Sequence, residues 1–323
     1  MTSICVFGAG AIGGYIGARL AHKGEAEVSL VARGPHLAAM EANGLILKQG
    51  GETITVHPKV SSDPKTLGPQ DYVIVGVKAH ALTGVLDQLQ PLLGKNTALL
   101  FAQNGLPWWY FYKHGGPYEG RRIESVDPGG KIWERLGPER ALGSVVWQAA
   151  EMEAPGIIAH AYGDRLPIAE PSGEKTPRAM LLSKLLMSAG LKSPVRGNLR
   201  DEIWLKLWGN LSFNPVSVLT QGTLLQLATD PGTRKVIRDM MQEARLVGEA
   251  LGVKFSVDVD ERIAMAEKVG NHRTSMLQDV EAGRPTELDS LLGVVIELAQ
   301  MVGIATPSLN LVYDLTRFSS KTR

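Results

Sequence analysis

Three polar side chains in one stretch of this sequence could carry out chemistry together. Lys206, Asn210 and Asn214 are spaced four residues apart in an otherwise apolar segment. If the segment is helical, the three side chains lie along one face. A lysine can donate a proton and stabilise negative charge, and each amide can both donate and accept hydrogen bonds. Such a row suits a small polar ligand that has a carboxylate and a carbonyl group.

An ordinary structural explanation of the same row is equally open from these residues alone. Lysine is mostly exposed in proteins, and asparagine is common near helix ends. Pro215 follows Asn214 directly. Because the residue before a proline disfavours the helical conformation, this explanation ends the helix at Asn214 and gives the row no ligand.

Two further polar residues could join the row from the last third of the chain. Ser275 precedes an apolar stretch, and Glu287 and Asp289 stand at the start of another. Each of them alone would be interpreted as a helix cap or as a first-turn residue that complements the helix dipole. That interpretation suits Asp289 well, but it is weaker for Ser275 and Glu287 when they are considered together with Lys206.

The start of the chain has the pattern of a dinucleotide-binding turn. The apolar run 4–7 predicts a strand, a glycine-rich turn follows, and a helical pattern begins at Tyr15. In G-x-G-x-x-G the first glycine permits the tight turn, the second lets a pyrophosphate approach, and the third allows close helix packing. We therefore predict cofactor contacts at Gly8, Ala9, Gly10, Ala11, Ile12 and Gly13.

Residues that follow the next predicted strands indicate which cofactor binds. Arg33 follows the strand 28–32 where an NAD site would usually have an acidic residue, and an arginine there favours the 2′-phosphate of NADP. Lys78 and Asn104 follow the strands 71–77 and 98–102. Ligands of open α/β sheets lie beyond the carboxyl ends of the strands, so we predict that both residues face NADPH.

Composition and charge exclude several classes of partner. The chain has 323 residues, which favours two domains, with 34 basic and 33 acidic residues and no basic block. This balance argues against nucleic acid and against an anionic membrane surface. The single cysteine, Cys5, lies in the first strand and is interpreted as a core residue. No signal sequence or membrane-length apolar run is predicted, and no histidines have metal-ligand spacing, so we expect a cytoplasmic protein without metal.

The remaining patterns predict an α/β domain followed by helices. We place an NADP-binding Rossmann domain at residues 1–197 and an all-α substrate and catalytic domain at residues 198–323. A hairpin around Gly50 is expected to extend the main sheet, and residues 194–198 to form the linker. The segment 107–143 contains an aromatic block at 108–112 and several glycines and prolines; it could be a surface excursion or a lid beside the substrate.

The combination of these motifs resembles the ketopantoate reductase family (2-dehydropantoate 2-reductases). The likeness covers nearly the whole chain, through the glycine turn, Arg33-Gly34, Val77-Lys78 and Gln103-Asn104-Gly105. It continues through W-x-K-L-x-x-N-x-x-x-N-P at 204–215, S-M-L-Q-D-V at 275–280 and T-E-L-D at 286–289. The lysine and asparagine helix and the segment from Ser275 to Glu287 are much more specific than the glycine turn.

This resemblance implies an active site in the cleft between a Rossmann domain and a helical domain. It implies that Lys206 is the general acid and Glu287 its partner. It also implies that Asn104, Asn210, Asn214 and Ser275 hold a small 2-oxo acid, with Lys78 near NADPH. A homodimer is compatible with the helical domain. The segment after Gly105 is longer and more aromatic than is usual in the family, which leaves the identity of the 2-oxo acid open.

Two other functions are compatible with the sequence. One is an NADP-dependent dehydrogenase of related architecture that acts on another hydroxy acid or forms an opine-like amine. The other is a regulatory protein that binds NADPH without turnover. Lys206 and Glu287 argue against the regulator, because a sensor needs neither residue.

Overall fold

The computed structural model describes residues 1–320 and contains two compact units. The first unit consists of residues 1–103, 107–122 and 130–199. The second consists of residues 104–106 and 123–129 together with the residues from 200 onward. Two short pieces from the N-terminal half of the chain therefore belong to the second unit. The boundary between residues 197 and 198 stays a prediction.

All strands of the described residues that belong to a sheet lie in the first unit. They are β1 (Ser3–Phe7), β2 (Glu27–Val31), β3 (Leu45–Gln49), β4 (Glu52–Val56), β5 (Lys59–Ser61), β6 (Gln70–Val75), β7 (Leu93–Phe101), β8 (Ala141–Ser144), β9 (Ala149–Ala154), β10 (Ile157–Tyr162) and β11 (Ile168–Ala169).

Seven of these strands form the main sheet, in the order β11-β8-β7-β6-β1-β2-β5. The strands are parallel except β11, which pairs antiparallel with β8. Buried apolar runs such as Ile4 to Phe7 and Val73 to Val75 occupy its centre, as expected for a sheet covered on both faces. The order reverses between β1 and β6, which is where Rossmann folds bind dinucleotides. The predicted fold class is confirmed.

The predicted hairpin is present as β3 and β4, but its predicted place in the main sheet was wrong. The hairpin belongs to a separate four-stranded sheet of order β4-β3-β10-β9. β3 pairs in parallel with β10, and Leu45 and Leu47 are fully buried. Both hydrogen-bonding edges of β3 are therefore paired, one with β4 and one with β10, and the main sheet ends at β5 instead.

Helices of the first unit cover the sheets, and those of the second unit form a bundle. The helices of the described residues are α1 (Ala11–Lys23), α2 (Gly34–Asn43), α3 (Leu86–Leu89), α4 (Lys131–Leu136), α5 (Pro177–Ser188), α6 (Leu199–Thr220), α7 (Leu224–Thr229), α8 (Pro231–Ala250), α9 (Val259–Val269), α10 (Ser275–Glu281), α11 (Val294–Val302) and α12 (Pro307–Ser319). A π-helical turn, Asp289–Gly293, leads directly into α11.

Helix α6 does not end at Asn214, so that sequence expectation was wrong. The helix runs from Leu199 to Thr220 and contains Pro215. Pro215 has no N–H to give to the Leu211 carbonyl, which weakens the helix locally. Residues 211–218 are buried throughout, and the Ser217 hydroxyl donates to the Asn214 carbonyl at 2.7 Å. Burial and this side-chain bond keep the helix continuous past the proline.

The aromatic block of the segment 107–143 is part of the interior of the first unit. Trp108, Trp109, Tyr110 and Phe111 are each at most 2% exposed. Residues 123–129 of the same segment belong to the second unit, where Glu297 of α11 accepts hydrogen bonds from the backbone N–H groups of Glu124 (2.8 Å) and Ser125 (2.7 Å). A role as a lid or pocket wall stays a prediction.

Residues 104–106 are attached to the second unit at the π-helical turn. The Leu106 N–H donates to the Ser290 carbonyl at 3.1 Å. Gly105 has a φ of +92°, and a Cβ at this position would lie 2.3 Å from the Ser290 oxygen. Only glycine allows both this conformation and this approach. The contact fixes the backbone that carries Asn104.

We expect Gly105→Ala to destabilise the protein by about 2 to 4 kcal/mol, because alanine adds a steric clash to the cost of a positive φ. Gly283→Ala is the matched control: its φ is +64°, and an added Cβ meets no atom of the described residues within 4 Å. The control should lose only about 1 kcal/mol. Urea unfolding of both variants measures the difference, and equal losses would contradict the importance of the Ser290 contact.

Candidate active site

The glycine turn predicted to bind a dinucleotide connects β1 to α1 in the first unit. Gly8 has a φ of +94°, and a Cβ there would lie 2.7 Å from the Val77 side chain. At Gly13 a Cβ would lie 2.1 Å from the Gly8 carbonyl oxygen. No side chain fits at the first or third glycine, because Gly8 packs against the residues that follow β6 and Gly13 packs against the Gly8 carbonyl.

The second glycine leaves room for a ligand. Gly10 is the N-cap of α1, and an added Cβ there meets no described atom within 4 Å. Within residues 1–320, no side chain caps this end of α1 by a hydrogen bond, and its first turn contains no acidic residue. The N–H groups of Ala11, Ile12 and Gly13 have no partner within the helix. A helix start of this kind fits a pyrophosphate group.

Arg33 and Lys78 follow strands that lie beside this turn. The carbonyl of Val31, at the end of β2, accepts hydrogen bonds from the N–H groups of Gly8 and Ala9, both at 3.1 Å. Arg33 comes two residues later as the exposed N-cap of α2. Lys78 is half-buried at the end of the β6 segment, as the N-cap of a 3₁₀ turn. The exposed guanidinium of Arg33 suits the 2′-phosphate of NADP.

In the second unit, the structure brings Lys206, Asn104 and Glu287 together. The Lys206 ammonium donates a hydrogen bond to Asn104 Oδ1 at 2.7 Å. The amide nitrogen of Asn104 donates to Glu287 Oε2 over a longer distance of 3.4 Å. Glu287 is 8% exposed and Lys206 is half-buried. Asn104 therefore links the cation to the carboxylate through its two polar atoms.

The surroundings of Lys206 change its acidity. Loss of hydration lowers the pKa of the ammonium from its ordinary value to about 8, while the negative charge of Glu287 acts in the opposite direction. At pH 7 the side chain is mainly protonated, yet it releases its proton far more easily than an exposed lysine. A proton donor with a pKa close to the working pH is the kind that general acid catalysis favours.

The other predicted substrate residues continue from Lys206 along α6. Asn210 is half-buried one turn on, and Asn214 is 5% exposed after a second turn. Lys206 and Asn214 are separated by roughly 12 Å along the helix axis. Ser275 is the exposed first residue of α10, and its neighbour Thr274 lies 2.6 Å, oxygen to oxygen, from the Ser217 hydroxyl of α6. The start of α10, with Ser275, therefore lies near the Asn214 end of the row.

Arg262 of α9 was not singled out from the sequence, although it supports the backbone on both sides of Lys206. Its Nε donates to the Leu205 carbonyl at 3.2 Å. A Cβ at Gly209 would lie 1.8 Å from its guanidinium, and burial lowers the pKa of Arg262 to about 10. A glycine inside a helix is a weak signal of such a close approach.

The sequence predicted neither a metal site nor a membrane-spanning segment, and two observations bear on these points. Across residues 1–320, no group of three or more His, Cys, Asp or Glu side chains is arranged to hold a metal ion. Every helix in the same range is too short or too polar to be a membrane span. The absence of a metal cofactor stays a prediction.

The sequence models of one protein family match both parts of the chain. Residues 4–113 match the model described as "Ketopantoate reductase PanE/ApbA". Residues 198–320 match "Ketopantoate reductase PanE/ApbA C terminal". The first match contains the glycine turn and Asn104, and the second contains Lys206 and Glu287.

Individual relatives are similar over nearly their whole length. A 2-dehydropantoate 2-reductase of Mesorhizobium japonicum is 52% identical over 97% of this chain and 96% of its own. A solved structure from Ralstonia solanacearum MolK2 is 40% identical, with a TM-score of 0.95 over 100% of this chain and 99% of the other. A PanE/ApbA family ketopantoate reductase from Ralstonia eutropha JMP134 is 29% identical, with a TM-score of 0.85 over 99% of both chains. This chain belongs to the ketopantoate reductase family of oxidoreductases.

Proposed function

We propose that the protein reduces 2-dehydropantoate (ketopantoate), or a closely related 2-oxo acid, to the 2-hydroxy acid, with NADPH as reductant and Lys206 as general acid. The hydrogen bond between the Lys206 ammonium and Asn104, beside the buried Glu287, is the observation that carries this proposal. The name and high identity of the Mesorhizobium japonicum relative support the choice of substrate. The glycine turn and Arg33 support the choice of cofactor.

The chemical step needs a hydride for the carbonyl carbon and a proton for the carbonyl oxygen. NADPH, when bound, supplies the hydride. Lys206 donates its Nζ proton to the oxygen as negative charge develops there, and the ammonium stabilises that charge before transfer. The products are the 2-hydroxy acid, NADP⁺ and a neutral Lys206, which recovers a proton from water.

Asn104 and Glu287 would act by controlling Lys206. The 2.7 Å bond to Asn104 Oδ1 occupies one of the three ammonium protons and orients the other two. The carboxylate of Glu287 favours the charged lysine, which keeps the proton in place at neutral pH. After turnover the same carboxylate can accept a hydrogen bond from the new hydroxyl group. Asn104 would in addition contact the substrate and NADPH.

Neutral polar groups would hold the rest of the substrate. The amides of Asn210 and Asn214 and the hydroxyl of Ser275 can donate hydrogen bonds to a carboxylate or to hydroxyl groups. These groups add no positive charge that would compete with Lys206 for the developing oxyanion. On the cofactor side, residues 8–13 would hold the pyrophosphate, Arg33 the 2′-phosphate, and Lys78 a further part of NADPH.

Three broader expectations belong to the same proposal. The protein would work in the cytoplasm, and its partners would be small molecules and neither nucleic acid nor membrane. A homodimer is compatible with the proposed function.

A related hydroxy-acid or opine-type dehydrogenase is the alternative function, in which Lys206 would donate a proton to another substrate.

The direct test is NADPH oxidation, followed at 340 nm, with ketopantoate and a panel of other 2-oxo acids, each repeated with NADH. We expect saturable turnover of ketopantoate and a kcat/KM for NADPH at least about tenfold above that for NADH, because Arg33 favours the 2′-phosphate. If only another 2-oxo acid were reduced, the proposed substrate would be wrong, but the proposed hydride and proton transfer would stand. Binding of NADPH without oxidation in the presence of any of the acids would favour a regulatory protein instead.

The role of Lys206 is tested by Lys206→Ala. Loss of the proton donor should lower kcat by about two to four powers of ten, because general acid catalysis contributes on this order. Lys254→Ala, at an exposed lysine of the second unit, is the matched control and should retain its kcat. Single-turnover measurements with saturating NADPH separate the chemical step from cofactor binding. A nearly unchanged rate in Lys206→Ala would exclude it as the acid.

A further inference from the structure

His36 is hydrogen-bonded at both ring nitrogens, and one of its partners lies in the glycine turn. It belongs to the first part of α2, three residues after Arg33. Its Nε2 lies 2.7 Å from the Ala9 carbonyl oxygen. Its Nδ1 accepts a hydrogen bond from the Gly156 N–H at 2.8 Å. All of these residues belong to the first unit.

The two contacts require one form of the imidazole ring. Because Nδ1 accepts from a backbone N–H, it cannot carry a proton itself, so the ring proton is on Nε2. Nε2 therefore donates to the Ala9 carbonyl. A neutral histidine supplies one donor and one acceptor at this separation, and both are used.

The Gly156 end of this connection is hydrogen-bonded to the four-stranded sheet. Gly156 forms the turn between β9 and β10, with a φ of +79°. Its carbonyl accepts a hydrogen bond from the Ile46 N–H of β3 at 2.9 Å. His36 is therefore fixed to the four-stranded sheet, and the sheet holds the ring at a set position relative to the glycine turn.

The Ala9 end determines how the turn presents its N–H groups. The Ala9 N–H donates to the Val31 carbonyl at 3.1 Å, and its carbonyl points to His36, so the peptide groups on both sides of Ala9 are fixed. The carbonyl of Ala9 and the N–H of Gly10 belong to one planar trans peptide and point in opposite directions. By holding the Ala9 carbonyl, His36 makes the Gly10 N–H point away from the imidazole ring, at the N-cap of α1.

We infer that His36 is a positioning residue for the dinucleotide. It holds the Gly10 N–H in the orientation that binds a pyrophosphate, and it fixes the start of α2, with Arg33, to the same turn. This inference rests on the proposed NADPH dependence. It does not depend on which acid is reduced.

Two substitutions separate the contacts of the ring. In His36→Asn the side-chain amide reaches the place of Nδ1 and can still accept from Gly156, but it is too short for Ala9. In His36→Gln the amide nitrogen reaches the place of Nε2 and can still donate to Ala9. His22→Asn is the matched control, since His22 is an exposed histidine of the same unit, in the last turn of α1.

The measurement is a fluorescence titration with NADPH in the absence of any 2-oxo acid, followed by KM and kcat with the accepted substrate. We expect His36→Asn to raise the Kd and KM for NADPH about tenfold, with kcat within twofold of the unsubstituted protein, because one loop contact is lost and the acid is untouched. His36→Gln and His22→Asn should stay within about threefold in Kd.

Two outcomes would overturn the inference. One is an unchanged Kd in His36→Asn. The other is a tenfold weaker Kd in His36→Gln, which would assign the effect to ring packing or to the Gly156 contact and not to the bond with Ala9. Thermal unfolding checks that each variant is folded; if the asparagine variant is not, the glutamine variant decides alone. Failure of the proposed function looks different. If the protein bound NADPH but reduced none of the acids, the proposed reductase function would be refuted. The fluorescence titration with NADPH would still test the role of His36.

Discussion

The second unit holds one lysine partly out of water beside a carboxylate, and the proposed chemistry depends on this arrangement. Burial of Lys206 disfavours its charge, and Asn104 and Glu287 offset part of that cost. The three residues come from distant parts of the sequence, so each needs its own support. α6 carries Lys206, and the Gly105–Leu106 contact to Ser290 holds Asn104. Glu287 lies two residues before the π-helical turn to which that contact is made.

This arrangement costs stability in a way that follows from proton linkage. The unfolded chain holds the Lys206 proton with a pKa of roughly 10.4, whereas the folded protein holds it with a pKa of about 8. Below pH 8 the charged lysine is buried at a cost on the order of 2 kcal/mol. As pH rises from 8 to above 10, the unfolded state keeps more protons than the folded state, so this penalty disappears and stability rises. Sites that trade stability for activity in this way are common in enzymes.

Much of both candidate sites could be predicted from short-range patterns. The spacing of Lys206, Asn210 and Asn214 predicted one helix face, and the glycine spacing with strand before and helix after predicted the turn at residues 8–13. These features are encoded within a dozen residues. Prediction was wrong where contacts distant in the sequence determine the local structure. At Pro215, burial of residues 211–218 outweighs the local preference against helix. β3 pairs with β10, which is more than a hundred residues away. The π-helical turn and the contacts of His36 and Arg262 have no comparable local signal.

The most direct test of the account is the pKa of Lys206 itself, measured by NMR of protein labelled with ¹³C at the lysine ε position and assigned with Lys206→Arg. We predict a midpoint near 8 for Lys206, and a lower midpoint in Glu287→Gln because the carboxylate favours the charged form. The basic limb of the kcat/KM profile should have the same midpoint and move with it. A Lys206 midpoint near the ordinary lysine value of about 10.4, unchanged in Glu287→Gln, would contradict this prediction.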